Sequence, residues 1–300
     1  MIRRIKDYLQ LVKLSLSIMV VFSSVISFML TKGFEAYDDQ LFRIVMLFAG
    51  GLLITGAANA INQVVEKDTD AMMKRTGQRP VASGRMTVTE GWTFAIVAGA
   101  SGVFILGNYF NWLTASLAAL SLFLYAFIYT PLKKVSSIAV LIGAIPGAFP
   151  CLIGWVAGED KLSLGGWLLF GIQFLWQFPH FWAIAWIAHK DYSAAGFKLL
   201  PADEGPTKFT ALQAVIYSLL LIPLTLLPYF VGGSGYNAMC SFGDVRGIIS
   251  LVLILVANSF MILRSVRLYQ KMDVASARKV MFGSYMYLPV ILLALLMSKI

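Results

Sequence analysis

Three oxygen-bearing side chains follow one another at intervals of four residues after a long apolar stretch. These are Asn62, Glu66 and Asp70. Because four residues turn an α-helix only about 40° beyond one full turn, the three side chains are expected to share one helical face, whereas Asp68 would point elsewhere. Two carboxylates and an amide on one face suit Mg²⁺, which prefers hard oxygen ligands and is often shared with substrate phosphates.

A basic segment comes directly after these acids, in the run Lys-Arg-Thr-Gly-Gln-Arg-Pro from Lys74 to Pro80. The two arginines of this run, Arg75 and Arg79, carry guanidinium forks that match phosphate oxygens in pairs. Acids that hold a cation and bases that hold an anion together predict a metal–diphosphate site. The alternative is a solvated loop whose charges pair with each other or with lipid headgroups. Because polar groups that emerge from an apolar helix are costly at membrane depth and usually functional, we favour the site.

The composition indicates that lipid is the solvent for most of this chain. Apolar residues make up 59% of the sequence and charged residues 13%, with a mean hydropathy of +0.77, whereas globular domains are about one quarter charged. A bilayer-spanning helix takes about 20 mostly apolar residues, and nine stretches qualify. They lie at 12–31, 41–62, 88–108, 112–131, 136–157, 165–188, 210–230, 247–267 and 279–297. We therefore expect an all-α polytopic membrane protein with nine transmembrane helices, formed by residues 1–300 as one domain.

The distribution of basic residues predicts how these helices are oriented. With the N-terminus inside, nineteen of the 24 Lys and Arg residues fall in inner segments and five in outer ones. Cytoplasmic loops carry such an excess, which favours an N-in, C-out topology. The polar segments 63–87 and 189–209 then both lie at the inner face, where they can build one site. The net charge of +9 would also attract an anionic substrate, but no basic stripe or recognisable module supports nucleic-acid binding.

The first polar segment resembles the signature of a known family. The run from Asn62 to Asp70 is similar to the N-x-x-x-D-x-x-x-D motif of the UbiA-type intramembrane prenyltransferases. Thr76-Gly-Gln-Arg79-Pro resembles the Thr-x-x-Arg-Pro continuation of that motif. Glu66 stands where aspartate is usual, which keeps the charge and lengthens the side chain.

Two further segments resemble the protoheme IX farnesyltransferase (heme O synthase) branch of this family. One is Gln-Phe-Pro-His180-Phe, followed by Asp191-Tyr-Ser-Ala-Ala-Gly. The other begins at Tyr129 with Tyr-Thr-Pro-Leu-Lys-Lys. Many family members carry a second D-x-x-x-D motif, but here Ala195 replaces its second carboxylate. Asp203 and Glu204 are nearby but do not fit the pattern.

The branch resemblance implies a reaction and a set of site residues. Farnesyl diphosphate would give its farnesyl group to a vinyl group of heme B, a substrate rather than a cofactor, and yield heme O with its hydroxyethylfarnesyl side chain. Mg²⁺ would be the cofactor. The implied metal ligands, which are also the implied catalytic residues, are Asn62, Glu66, Asp70 and Asp191. The implied substrate-binding residues are Arg75, Arg79, Lys134, Lys198, Tyr129, His180 and Tyr192. His180 has two open interpretations, a hydrogen-bonded core histidine or a heme contact.

The resemblance also implies a location and partners. We expect an integral protein of the bacterial cytoplasmic (inner) membrane with its site on the cytoplasmic side, and no transit peptide is recognisable. Heme A synthase and terminal-oxidase assembly factors are candidate partners, in addition to the lipid bilayer. Two alternatives stay open. One is a prenyltransferase for a quinone precursor or another aromatic acceptor, and the other is a membrane transporter, a class that also uses broken helices and membrane-embedded polar groups.

Overall fold

A computed structural model describes residues 2–201, 205–232 and 238–299. These residues form α-helices joined by short turns, and within them β-structure is limited to two isolated bridges. The helices of the first half are α1 (Ile2–Leu11), α2 (Leu14–Met29), α3 (Lys32–Glu35), α4 (Gln40–Val65), α5 (Lys67–Met72), α6 (Val88–Tyr109), α7 (Trp112–Phe123), a π-helix (Leu124–Tyr129) and α8 (Thr130–Leu132). Those of the second half are α9 (Ala139–Glu159), α10 (Leu164–Ile187), α11 (His189–Ala194), α12 (Lys208–Leu226), a 3₁₀-helix (Leu227–Tyr229), α13 (Val245–Lys271) and α14 (Val274–Met297).

The structure confirms the predicted fold class, an all-α membrane protein. Seven helical segments of the described chain are long and apolar enough to cross a bilayer, and α1 with α2, bent by 47°, forms an eighth if the pair counts as one span. The 24-residue helix α10 also has the length, but Gln173, Gln177 and His180 reduce its apolar character. The chain is thus an all-α integral membrane protein, while the count of nine spans stays a prediction.

The long helices form one closed bundle, because α2 packs against both its first helix, α4, and its last helix, α14. Each of the helices α4, α6, α7, α9, α10, α12, α13 and α14 packs against the next in this order, and α2 contacts α4, α9 and α14. Lys299, just after α14, secures this closure. Its Nζ donates hydrogen bonds to the carbonyls of Met29 at 3.0 Å and Thr31 at 2.8 Å, and it lies 2.8 Å from a Glu35 carboxylate oxygen.

Small residues allow α2 and α9 to approach each other closely in the middle of the bundle. A Cβ atom at Gly154 would collide with the carbonyl of Ser24, so only glycine fits there. Close backbone approach at small residues is the usual way in which membrane helices gain packing energy. Pro150 cannot donate a backbone hydrogen bond in α9, so the carbonyl of Pro146 lacks its helical partner. This carbonyl accepts a hydrogen bond from Ser121 Oγ at 3.1 Å instead.

The bundle sorts its connections onto two opposite faces. At one face the predicted polar segments meet, since Arg75 bonds to Tyr192 and the backbone N–H of Lys198 donates to the carbonyl of Lys133 at 2.8 Å. At the other face Lys299 joins the C-terminal ends of α2 and α14. The two polar segments therefore lie on one side of the molecule, as the alternation of helices predicts. Which side faces the cytoplasm stays a prediction.

Cysteine labelling would test that orientation. Both native cysteines, Cys151 and Cys240, are buried, so a cysteine introduced at an exposed position reports its own side of the membrane. Lys190 and Lys161 are exposed at opposite faces. We expect Lys161→Cys to react with an impermeant maleimide in intact spheroplasts, and Lys190→Cys to react only after permeabilisation. The opposite pattern would reverse the predicted topology.

Candidate active site

The first polar motif begins on one helix and ends on another. Helix α4 extends to Val65, and α5 continues after a bend at Glu66, where φ is −96° and ψ is 15°. Backbone hydrogen bonds from Glu66 to Asn62 at 3.0 Å and from Asp70 to Glu66 at 2.7 Å carry the four-residue spacing across the bend. Asn62, Glu66 and Asp70 are buried, whereas Asp68 is exposed. The bend thus preserves the common face that the spacing predicts.

Asp70 is held by Arg79 of the basic segment. Arg79 Nη1 donates to both carboxylate oxygens of Asp70, at 2.9 and 2.7 Å, and Thr76 Oγ1 donates to the Asp70 carbonyl at 3.0 Å. Burial raises the pKa of the Asp70 carboxyl above its ordinary value, while the neighbouring Arg79 guanidinium opposes this rise. The turn between α5 and Pro80 therefore brings a predicted acid and a predicted base into direct contact.

Glu66 pairs with a lysine from the segment that follows the π-helix. Lys133 Nζ lies 2.5 Å from Glu66 Oε1, and both side chains are buried. The ammonium also lies 4.9 Å from the ring centroid of Tyr129 and 5.5 Å from that of Phe197. Burial lowers the pKa of Lys133, and the adjacent Glu66 carboxylate opposes this effect.

The structure places Lys133 beside Glu66, whereas Lys134, the lysine predicted to contact the substrate, lies outside this contact. The Lys134 side chain is exposed, and in the described part of the chain it forms neither an ion pair nor a hydrogen bond. Lys133 follows Tyr129 by four residues, the spacing that places two side chains on one side of a helix. This spacing is the sequence signal that would have identified it.

A charged cluster is thus formed by Asn62, Glu66, Asp70, Arg79 and Lys133. The second polar segment reaches this charged cluster through Tyr192. Arg75 Nη2 donates to Tyr192 Oη at 2.8 Å, and the guanidinium carbon lies 5.6 Å from the centre of the tyrosine ring. Burial raises the pKa of the Tyr192 phenol. A small apolar cluster of Met73, Ala195 and Phe197 supports this contact. The two segments that were predicted to form one site are thus in contact.

The other acids and bases of the second polar segment lie at the edge of the cluster. Asp191 is half-buried, and its carboxylate has no hydrogen-bond or ion-pair partner among the described residues. Lys198 is exposed and contacts the cluster through its backbone rather than its ammonium group. Asp203 and Glu204 lie outside the described residues.

His180 is buried within α10 and held by its neighbours. Its Nδ1 lies 2.7 Å from Ser284 Oγ, and its ring stacks on Trp176 with centroids 4.9 Å apart. These contacts match the interpretation as a hydrogen-bonded core histidine. No other hydrogen bond to this ring occurs among the described residues, and Phe181 and Tyr285 pack edge-on against it.

An apolar cavity of about 130 Å³ adjoins the charged cluster. Its wall includes Asn59, one turn before the motif, and Tyr125, whose phenol lies within electrostatic reach of Glu66, Asp70 and Arg79. Most of the remaining wall is apolar and is formed by α2, α4, α7 and α9. Sequence reasoning missed Tyr125, which precedes Tyr129 by four residues on the π-helix and lies 5.3 Å from it between ring centroids.

The charged cluster contains the oxygen ligands that a hard cation prefers, but its two acids are paired with basic side chains of the protein. Among the described residues, no three acid, histidine or cysteine side chains converge on one point. Asn62 contributes an amide oxygen next to the carboxylates of Glu66 and Asp70, which are the ligand types that Mg²⁺ prefers. If these carboxylates turned to a metal ion, Lys133 and Arg79 would be free for an anion. The residues therefore fit a bound metal–diphosphate pair.

Buried acids and bases lie beside an apolar cavity inside a membrane helical bundle, an arrangement that suits a ligand with an anionic head and an apolar tail. The sequence profile of the UbiA prenyltransferase family matches residues 20–288. The chain belongs to this family, and the predicted enzyme class is thereby confirmed.

Similar proteins agree with the predicted branch. Protoheme IX farnesyltransferase of Cytophaga hutchinsonii is 40% identical over 300 residues, which cover 100% of both chains. The protein of the same name from Flavobacterium psychrophilum is 39% identical over 294 residues, covering 98% of this chain and 94% of that one.

Solved structures agree with the predicted UbiA-like fold. A digeranylgeranylglyceryl phosphate synthase superimposes with a TM-score of 0.74 at 21% identity, covering 99% of this chain and 98% of the other. A UbiA homolog from Archaeoglobus fulgidus bound to GPP and Mg²⁺ has a TM-score of 0.70 at 13% identity, with 96% and 99% covered.

The ion pair between Glu66 and Lys133 generates a stability prediction. Lys133→Met leaves a buried carboxylate without its cation, which destabilises a protein by about 3–5 kcal/mol. We expect a clearly lower melting temperature in detergent, and a smaller loss in the double variant Lys133→Met/Glu66→Gln. Lys134→Met, at the exposed neighbouring position, should leave the melting temperature nearly unchanged. Equal losses in the single and double variants would contradict the pairing.

Proposed function

We propose that this chain transfers the farnesyl group of farnesyl diphosphate to a vinyl group of heme B and thereby produces heme O. The observation that carries this proposal is the full-length similarity to proteins named protoheme IX farnesyltransferase, at 40% identity for the Cytophaga protein. The geometry of the site supports the donor half of the reaction, since it combines paired charges with an apolar cavity.

In the proposed complex the diphosphate lies at the charged cluster and the prenyl chain enters the apolar cavity. Mg²⁺ would be held through Asn62, Glu66, Asp70 and Asp191, and when bound it neutralises negative charge on the departing diphosphate. Arg79 and Lys133 then donate to diphosphate oxygens rather than to Asp70 and Glu66. These fixed cations stabilise the charge that builds on the leaving group as the C–O bond breaks.

The bond changes of the proposed reaction balance without a covalent enzyme intermediate. The electron pair of the breaking C–O bond leaves with the diphosphate, which gives an allylic farnesyl cation. The vinyl π-electrons of heme B form the new C–C bond, and water adds to the cation beside the porphyrin and loses a proton. Tyr125 and Tyr129 place aromatic rings at the junction of cavity and cluster, where a ring face attracts a cation. The apolar cavity keeps water away from the first cation.

The acceptor side of the proposal rests on fewer contacts. His180 Nε2 is the proposed contact for the heme iron or a propionate, because Nδ1 is engaged with Ser284. Tyr192, Arg75 and Lys198 remain proposed substrate contacts at the face where the polar segments meet. The basic-residue distribution and the bacterial relatives support a cytoplasmic-membrane protein with its site on the cytoplasmic side. Heme A synthase and terminal-oxidase assembly factors are the proposed partners downstream.

Mass spectrometry of heme would test this function. Reconstituted protein is incubated with heme B, farnesyl diphosphate and Mg²⁺, and we expect heme that has gained a hydroxyethylfarnesyl group. Omission of Mg²⁺ should abolish the product. Asp70→Asn should reduce the rate by about 100-fold, as the loss of one preorganised electrostatic group does in other enzymes. Asp38→Asn, an exposed acid at the opposite face, serves as the matched control and should keep the wild-type rate.

The other outcomes separate the alternatives. Unchanged heme from folded protein would reject heme B as the acceptor. Pyrophosphate release with aromatic acceptors would then favour an enzyme for quinone precursors. If farnesyl diphosphate is not consumed with any acceptor, the transferase proposal fails and the transporter alternative is favoured.

A further inference from the structure

Lys13 occupies a strained backbone position beside the charged cluster. It stands at the break between α1 and α2, whose axes differ by 47°. Its backbone is left-handed, with φ 48° and ψ 56°, and only two other non-glycine residues of the described chain have a positive φ. Such a conformation is unfavourable for a residue other than glycine and persists only where the surrounding structure enforces it, which is often at a functional site.

Side chains of the motif-bearing helix α4 enforce this break. Asn59 Nδ2 donates to the carbonyl of Val12 at 3.1 Å, and Gln63 Nε2 donates to the carbonyls of Gln10 at 3.1 Å and Leu11 at 2.9 Å. The two amides flank Asn62 in the sequence. They therefore fix the backbone next to Lys13 relative to the first residue of the polar motif.

The side chain of Lys13 points into the charged cluster. Its Nζ lies 3.5 Å from Asn62 Oδ1. It is within electrostatic reach of the acids Glu66 and Asp70 and of the cations Arg79 and Lys133. In the described chain, Glu66 and Asp70 form their ion pairs with Lys133 and Arg79, and none forms with Lys13.

The charge balance of the cluster indicates what Lys13 can bind. Three cations surround two carboxylates, and repulsion among the cations is unfavourable where water is scarce. An ammonium group offers three hydrogen-bond donors, of which Asn62 occupies one. A divalent metal ion would add to the positive charge, whereas a diphosphate would compensate it.

We propose that Lys13 is a third cationic ligand of the prenyl diphosphate, positioned by the break between α1 and α2. This inference rests on the proposed function and adds to it a residue from the N-terminal segment. The first helix then forms part of the donor site, since its end is fastened to α4 beside the motif.

Calorimetry with inorganic pyrophosphate at fixed Mg²⁺ would test the role of Lys13. We expect Lys13→Met and Lys13→Gln each to weaken pyrophosphate binding by about 10- to 100-fold, the effect of losing one charge-assisted hydrogen bond. Lys6→Met removes one charge from an exposed position of the neighbouring helix α1 and should bind like the wild type. Mn²⁺ affinity, measured by electron paramagnetic resonance without pyrophosphate, should not fall in the Lys13 variants, because the lost group is itself a cation.

Each result decides between an anion ligand and another role. Wild-type pyrophosphate affinity in the Lys13 variants would overturn the inference, while farnesylated heme from the wild type would leave the proposed function intact. Parallel loss of Mn²⁺ and pyrophosphate binding, with a lowered melting temperature, would assign Lys13 a structural role and also overturn it. A wild-type protein that neither binds pyrophosphate nor farnesylates heme would overturn both proposals.

Discussion

Carboxylates that are withdrawn from water at the end of a membrane helix need opposite charge close by. Glu66 and Asp70 are both buried, and the desolvation of an ion costs several kcal/mol. Neither acid finds its cation on its own helix, since Arg79 comes from the turn that follows α5 and Lys133 from the segment beyond the π-helix. Because both acids need a neutralising partner, three separate parts of the chain meet at one point, and the face of the bundle that carries the polar segments is organised around it.

Internal ion pairs also determine how ligands can enter the site. A metal ion alone would have to compete with Lys133 and Arg79 and would leave both cations unpaired. A diphosphate alone would compete with Glu66 and Asp70 and would leave both acids unpaired. When metal and diphosphate arrive together, Glu66 and Asp70 can exchange their cations for the metal, and Lys133 and Arg79 can exchange their acids for the diphosphate. Since unpaired buried charge is strongly unfavourable, the arrangement favours the loaded pair over either component.

The sequence predicted those features that depend on local periodicity. Spacing by four placed Asn62, Glu66 and Asp70 on one face, and apolar length located the long helices. The sequence prediction selected Lys134 rather than Lys133. The step of four from Tyr129 to Lys133 is visible in the sequence, but the π-helix at Leu124–Tyr129 and the turn after it are needed to bring both side chains to one side. Lys13 was even less accessible to sequence reasoning. The direction of the Lys13 side chain depends on the left-handed backbone of Lys13 itself, which side chains from α4 hold in place. Such a contact between distant segments leaves no periodic pattern in the sequence.

The cavity and the charged cluster are connected because α4 contributes to both. Along this helix the cavity wall runs from Leu47 to Asn59, and the polar motif begins at Asn62. At 1.5 Å per residue the wall extends about 18 Å along the helix axis. The prenyl chain of the proposed donor can therefore lie alongside α4 with its diphosphate at the charged cluster, rather than cross the bundle. In such a pose the first isoprene unit would lie beside Tyr125, between the apolar wall and the cations. The helix α4 would then set the distance between the reactive carbon and the charges that assist its release.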